Sequence, residues 1–190
     1  EEAKTKQRRF DLSEELYETE AGFNAVRYNL TQAANMAFSI WKDPKTKNVT
    51  GSVEGRPLYP ILGGSNRTVL GRIKAFMEQL EQIGMQDVRN SSKTGGAGGN
   101  TTVTEWPKFR AKYGNLDLTQ LDDDFIETMK DAYIDLAGFV MSHEARHVER
   151  YSEILPAPEG VDDLDWQELT TKEKREFLYP TSVWGANEDP

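Results

Sequence analysis

The sequence contains no cysteine among its 190 residues. The chain therefore forms no disulfide, and it offers neither a thiolate nucleophile nor a cysteine ligand for zinc or an iron–sulfur cluster. Histidine is almost as scarce, since only His143 and His147 occur. Serine–histidine and cysteine–histidine nucleophile systems consequently have few or no candidates. If the chain carries conventional catalysis, these two histidines must take part in it.

Long apolar runs and a surplus of basic charge are also missing. No stretch approaches the roughly 20 apolar residues that a membrane helix needs, so we expect a soluble chain without a transmembrane segment. The formal net charge is −9 and the isoelectric point is near 4.9. Because general nucleic-acid binders need a basic stripe that displaces counterions from phosphate, this charge argues against nucleic acid as a partner. A basic surface on another protein is the more natural complement.

The sequence does contain helical periodicity. Hydrophobic residues make up 37% of the chain and charged residues 29%, at a mean hydropathy of −0.70, so the apolar side chains are confined to a few stripes. Apolar residues recur every three or four positions along 11–41, 65–88 and 118–155, which is the period of one helix face. We see no internal repeat and no convincing strand alternation. The sequence therefore predicts an all-α fold, a helical bundle of three to four main helices with long irregular loops and extended termini.

Capping signals place the ends of these helices. Asp11 and Glu14 form a possible capping pair for the first helix, and Pro44 ends it because proline cannot donate a backbone hydrogen bond. Near the C-terminus, Thr170 and Glu173 have capping-box spacing and predict a further short helix.

The same signals divide the chain into three parts. We expect an N-terminal arm over 1–10, a helical bundle domain over 11–155, and an extended C-terminal tail with a short helix over 156–190. Inside the bundle domain, glycine and proline make 45–65 an irregular crossover, and the glycines of 89–103 predict a flexible connection.

The helix predicted over 118–155 carries the one sequence motif with a catalytic interpretation. His143, Glu144 and His147 match HExxH, in which two histidines one helical turn apart hold zinc and the glutamate activates the bound water as general base. A third metal ligand is required, and Glu168 lies at a spacing that glutamate-ligand zinc peptidases permit. The motif therefore predicts a zinc-dependent metallohydrolase as one possible function.

A structural interpretation of the same residues is the alternative that we prefer. Both histidines continue the apolar stripe of the helix, so they can pack near its end with a hydrogen bond to a neighbouring loop. A charged arginine inside the motif, Arg146, is unusual for an active-site helix, and zinc peptidases commonly place the motif beside a sheet edge. The surrounding charges would then form ordinary salt bridges on the exposed side, namely Arg146, Glu149, Arg150 and Glu153.

Two sets of residues are candidates for binding a partner protein. A small basic cluster stands near the start of an otherwise acidic chain and includes Arg8 and Arg9, which predicts either a solvated arm or a tether to an acidic surface. Aromatic residues on polar segments either dock on their own bundle or anchor in a partner. The tryptophans in this position are Trp106, Trp166 and Trp184.

Parts of the chain resemble the PsbQ-like extrinsic proteins of photosystem II. The first helix contains a segment that looks like the family's recurring Leu-Arg-Tyr-Asp-Leu-Asn, here Ala25-Val26-Arg27-Tyr28-Asn29-Leu30-Thr31. Residues 70–76 and 125–136 are similar in pattern to the helices that follow in that family. The resemblance covers roughly half of the chain.

The resemblance implies a non-enzymatic protein of the thylakoid lumen that docks on a photosystem, supports its intrinsic subunits and needs no cofactor of its own. The chain starts at Glu1, as a mature chain processed from a secreted or organelle precursor would. We therefore expect an accessory or stabilising subunit of a larger assembly, with the zinc metallohydrolase as the alternative.

Overall fold

The computed structural model describes residues 2–50, 52–53, 56–57, 65–94, 100–114, 116–118 and 122–180. Within the second and third helices, side chains are described for residues 67–83 and 107–113. Six α-helices and one pair of two-residue antiparallel strands occur in these ranges. In chain order they are α1 (Glu2–Lys42), β1 (Ser52–Val53), β2 (Arg56–Pro57), α2 (Ser65–Thr94), α3 (Asn100–Tyr113), α4 (Asp122–Tyr151), α5 (Asp163–Glu168) and α6 (Thr171–Leu178).

The core lies between the long helices, which confirms the predicted all-α bundle. The helix α4 packs along α1 in the antiparallel sense, since Thr19 meets Tyr151 at one end of the pair and Phe38 meets Tyr133 towards the other. The helices α2 and α3 add the remaining apolar faces. The larger buried core side chains are Leu30, Ile40, Ile73, Phe76, Leu80, Tyr113, Phe125, Met129 and Leu136.

The first helix begins earlier than the sequence signals indicate. Residues 2–10 are helical and continuous with the rest of α1, so Asp11 is an interior residue and not a cap. The reason is that the residues before Asp11 are mostly alanine, lysine, glutamine, arginine and glutamate, which favour helix as strongly as the residues after it. The end of α1 at Lys42, just before Pro44, agrees with the prediction.

The connections are shorter than predicted. The helix α2 continues to Thr94 and α3 begins at Asn100, so much of the stretch 89–103 is helical, while 95–99 lie outside the described residues. The crossover 45–65 contains a 3₁₀ turn at Thr46–Asn48 and the two-residue strands β1 and β2, which pair in antiparallel register.

The C-terminal segment folds back on the bundle. Thr170 caps α6, its hydroxyl accepts a hydrogen bond from the backbone N–H of Glu173, and the Glu173 carboxylate accepts one from the backbone N–H of Thr170 at 2.8 Å. This confirms the predicted capping box. The helix α6 packs on α4, so residues 171–178 belong to the bundle and not to a free tail. Residues 181–190 lie outside the described part of the chain.

Within the ranges given above, none of the helices combines the length and the apolar character needed to cross a membrane.

Candidate functional site

The residues of the HExxH motif lie at the interface of α1, α4 and α6. Glu144 is fully buried, because it stands four residues after Val140 and four before Val148 and so shares the buried line of α4. The two histidines flank this line and are only partly buried. We call the group around it the Glu144 cluster: Phe23, Arg27, His143, Glu144, His147, Arg175 and Tyr179.

Two arginines neutralise the Glu144 carboxylate. Arg27 of α1 donates from Nε to Oε1 at 2.8 Å, and Arg175 of α6 donates from Nη1 to Oε2 at 3.2 Å. The side chains of both arginines are mostly buried. A buried carboxylate needs such charge-assisted hydrogen bonds, since an unpaired charge in the core is strongly unfavourable. One carboxylate therefore joins three helices.

An aromatic layer covers this ion-pair network. The Phe23 ring stacks on both histidines, with centroid distances of 4.7 Å to His143 and 3.8 Å to His147. The Tyr179 ring lies 4.6 Å from the Arg27 guanidinium carbon, a cation–π contact. His143 Nε2 also lies 3.3 Å from the carbonyl oxygen of Phe23. The imidazoles thus serve as packing surfaces for α1.

Burial keeps both histidines neutral near pH 7. The pKa of His143 is lowered to about 4, chiefly because desolvation disfavours the imidazolium, while the hydrogen bond to Phe23 acts in the opposite direction and the nearby Arg146 adds to the lowering. Desolvation also lowers the pKa of His147 to about 4. The Tyr179 hydroxyl is affected in the opposite sense, since burial raises its pKa to about 12.

The geometry does not fit the zinc hydrolase arrangement. A general base must accept a proton from a metal-bound water, whereas each oxygen of Glu144 already accepts a hydrogen bond from an arginine. In the described part of the chain, no three side chains of histidine, aspartate or glutamate converge in a way that could hold a metal ion. Glu168 is exposed near the end of α5 and does not join His143 and His147.

Further polar contacts lie along the α1–α4 seam. Arg150 donates from Nε to Glu15 Oε1 at 2.7 Å, and Tyr151 donates its hydroxyl to the same oxygen at 3.2 Å. Of the charges expected to form salt bridges on the exposed side, Arg150 and Glu153 pair with Glu15 and Arg8 of α1. Arg146 Nε is buried without a hydrogen-bond partner among the described residues.

The structure places the basic anchor candidates on the first turns of α1. Arg8 forms an ion pair with Glu153 at 2.9 Å, and Arg9 donates from Nη2 to the Glu153 carbonyl at 3.3 Å. Both arginines remain exposed. They therefore hold the start of α1 to the turn that follows α4.

The tryptophan candidates differ in position. Trp166 is docked within its own chain, with 1% of its surface exposed and its Nε1 donating to the Leu155 carbonyl at 3.0 Å. It packs edge-on against Phe177, so its ring is not on the surface. The side chain of Trp106 and all of Trp184 lie outside the described residues.

Sequence reasoning found the motif but missed its partners. Arg27 is 117 residues from Glu144 and Arg175 is 31 residues away, so no local spacing connects them. One signal was present, because Glu144 occupies a core-facing position of α4 and a buried carboxylate requires a cation. That signal does not say which arginine supplies it.

Comparisons of this chain with protein-family models, with curated proteins and with solved structures find no match.

Proposed function

We propose that this protein is a non-enzymatic accessory subunit that docks on a larger assembly and stabilises it. The observation that carries the proposal is the first half of α1. None of the side chains of residues 2–22 is buried, and Phe23 is the first residue of α1 that enters the core. We call residues 2–18 the α1 overhang, because α4 ends at Tyr151, which lies beside Thr19.

The α1 overhang has little core packing for a helix of its length, since its described contacts to the rest of the chain are mainly exposed polar ones. At a rise of about 1.5 Å per residue its 17 residues extend roughly 25 Å. Helices of this length are marginal in water unless a packed face stabilises them. The contacts described above give it the ion pairs of Arg8 and Glu15, and Leu12 and Leu16 are partly buried, but none of its side chains is fully buried. A partner that covers the overhang would supply the missing burial.

The charge of the overhang supports docking as well. Residues 2–9 contain all four of its basic side chains and one acidic side chain, whereas the overhang as a whole has five acidic residues and the whole chain has a net charge of −9. Arg8 and Arg9 are engaged by Glu153. Lys4 and Lys6 form no ion pair with any described residue and are exposed, so they are available to a partner.

The specific form of the proposal is a PsbQ-like extrinsic subunit on the lumenal side of photosystem II. Its support is the resemblance of residues 25–31 to the recurring segment of that family, together with the helical bundle that the resemblance implies. In the structure this segment contributes Arg27 to the Glu144 cluster and exposes Tyr28 beside it. Under this proposal the protein acts in the thylakoid lumen and needs no metal or other cofactor.

The contacts of the Glu144 cluster favour a structural role over hydrolysis. Its carboxylate, its two arginines and its stacked aromatic rings fasten α6 and α1 to α4. The zinc metallohydrolase alternative would require Glu144 to leave both arginines, and no described contact supports such a change.

The experiment that tests the proposal is separation of native complexes from cells that express the protein, followed by hydrogen exchange. We expect the chain to migrate with a complex several times its own mass of 21.6 kDa. Backbone amides of residues 2–18 should exchange quickly in the free protein and slowly in the complex, while those of 125–148 stay protected in both. A chain that migrates only as a monomer would contradict the proposal.

A further inference from the structure

A second stripe of apolar side chains runs along α1 on the side away from the core. Phe10, Tyr17 and Tyr28 are 64%, 84% and 63% exposed. They are separated by seven and eleven residues, which correspond to about two and three turns of helix, so they lie on one face. Ala21 is exposed on the same face between them. Large aromatic side chains with this exposure on a single helix face are typical of protein–protein contacts.

Carboxylates border this stripe on both sides. From their angular positions on the helix, Glu14 and Glu18 lie along one edge and Glu20 lies along the other. All three are exposed and form no ion pair with a described residue. Glu14 and Glu18 are also four residues apart, a spacing at which like charges destabilise a helix. Cations from outside the chain would relieve this repulsion. We call the stripe and its carboxylates the acidic aromatic face of α1.

The charges decide what kind of surface can cover this face. A second copy of the chain would bring the same carboxylates together and would add another net charge of −9. An anionic lipid surface would be repelled in the same way. A segment that carries lysine or arginine beside apolar side chains satisfies both parts of the face, since its apolar side covers the aromatic rings and its cations pair with the carboxylates.

We propose that the acidic aromatic face of α1 binds a basic amphipathic helix of a partner protein. The proposal rests on the docking function proposed above and assigns the surface that performs it. Tyr17 is the central contact, because it is the most exposed of the three aromatic side chains of this face and has carboxylates on both sides. Lys6 stands four residues before Phe10 on the same side of α1 and marks the N-terminal limit of the acidic part of this face.

Binding to a defined probe tests the chemistry of the face. The probe is a labelled synthetic helical peptide with leucine at heptad positions a and d and lysine at e and g, and the matched peptide carries glutamate at e and g. For the full chain we expect at least tenfold tighter binding of the lysine peptide, and weaker binding as ionic strength rises. Equal affinity for the two peptides, or no binding of either, would overturn the proposal.

Two variants locate the peptide on the protein. Tyr17→Ser should weaken binding of the lysine peptide about tenfold, since central aromatic residues dominate such contacts. The double variant Glu14→Lys, Glu18→Lys should weaken binding of the lysine peptide still more than Tyr17→Ser does. The matched controls lie on α4, where Met141→Ser removes another exposed apolar side chain and Glu149→Lys reverses another exposed charge. Equal losses in the control variants would overturn the assignment to α1.

A cross-linking experiment separates failure of this inference from failure of the docking function. A photoreactive phenylalanine analogue is introduced at Tyr17 and, as control, at Met141, and native complexes are separated after irradiation. We expect the Tyr17 derivative to migrate with the assembly and to cross-link to a lysine- or arginine-rich helix. Migration with the assembly but cross-linking from Met141 alone would overturn the assigned surface and leave docking intact. Cross-linking of Tyr17 to a second copy would also overturn the assignment, whereas a monomer in every fraction would contradict the docking function itself.

Discussion

Arg27 of α1 and Glu144 of α4 join their two helices through a hydrogen bond of 2.8 Å between Nε and Oε1. The carboxylate end of the pair is fully buried, and the arginine side chain is 28% exposed. Arg175 completes the arrangement from α6. The stability of the bundle should therefore depend on Glu144 more than on any exposed charge of α4.

Replacing Glu144 with alanine should destabilise the protein by about 3 kcal/mol, because two largely buried arginines would lose their common counter-charge. Urea unfolding measures this as a lower transition midpoint at an unchanged slope. The matched control is Glu149→Ala on the exposed side of the same helix, which should change stability by about 0.5 kcal/mol or less. Equal effects of the two substitutions would show that the cluster does not hold the helices together.

Stability should fall as the pH is lowered from about 6.5 towards 4. The folded protein holds the pKa of His143 and His147 at about 4, below the ordinary value of 6.5, so the unfolded chain binds more protons in this window. Above about pH 6.5 the two histidines are unprotonated in both the folded and the unfolded chain, so they do not lower the free energy of unfolding. For His143 it should decrease by about 2 kcal/mol between pH 7.5 and pH 5, and the half-buried His147 should contribute less because solvent screens it.

The variant His143→Gln isolates this effect from the titration of carboxylates. Its amide can still hydrogen-bond to the Phe23 carbonyl, but it has no imidazole to protonate. Urea unfolding at pH 7.5 and pH 5 should therefore show a smaller loss of stability for the variant than for the natural sequence. An identical pH dependence in both proteins would mean that His143 is not a buried neutral group.

Protein purified without chelator should contain well below one zinc ion per chain, because Glu144 is held by two arginines and Glu168 forms no metal-binding group with the two histidines among the described residues. Elemental analysis provides the measurement. Near-stoichiometric zinc that disappears in a His143→Ala, His147→Ala double variant would restore the hydrolase hypothesis, and peptidase assays would follow.

Replacing Gly22 with alanine should stabilise the protein by about 0.5–1 kcal/mol, since glycine costs this much in a helix interior. A methyl group added at this position meets no atom within 4 Å, so no clash offsets the gain. Thermal unfolding should show a higher midpoint. Gly138→Ala on α4 is an informative comparison, because it too meets no neighbouring atom. A lower midpoint for Gly22→Ala would indicate that α1 bends at this residue in solution.

The fold was largely predictable from the sequence because helical periodicity is a local signal. The stripe of α4 and the capping box of α6 depend on residues three or four apart, and both are confirmed. The start of α1 was less predictable. Residues on both sides of Asp11 favour helix, so the capping signal at Asp11 does not coincide with a helix end. The continuations of α2 and α3 into the stretch 89–103 were hidden for a similar reason, because polar and glycine-rich composition was taken as a sign of flexibility.

The site was predictable only in part. HExxH correctly drew attention to residues 143–147, but periodicity assigned the buried positions to the histidines, whereas Glu144 is the residue with no exposed surface. A helix face is wide enough that adjacent residues compete for its centre. The partners Arg27 and Arg175 come from other helices, and only the tertiary arrangement brings them to the carboxylate.

The continuity of α1 also has a mechanical consequence. Its 41 residues form a rod of about 60 Å, one part of which lies in the core while exposed polar contacts hold the first turns to the turn after α4. Gly22 lies just before the first core residue of α1, Phe23, and the rod transmits rotation from its N-terminal end to the body whenever Gly22 stays helical. A clamp on the overhang that turned by ten degrees would displace the far end of the rod by about 10 Å. The orientation of the whole bundle on an assembly would then be set by how firmly its first few turns are held.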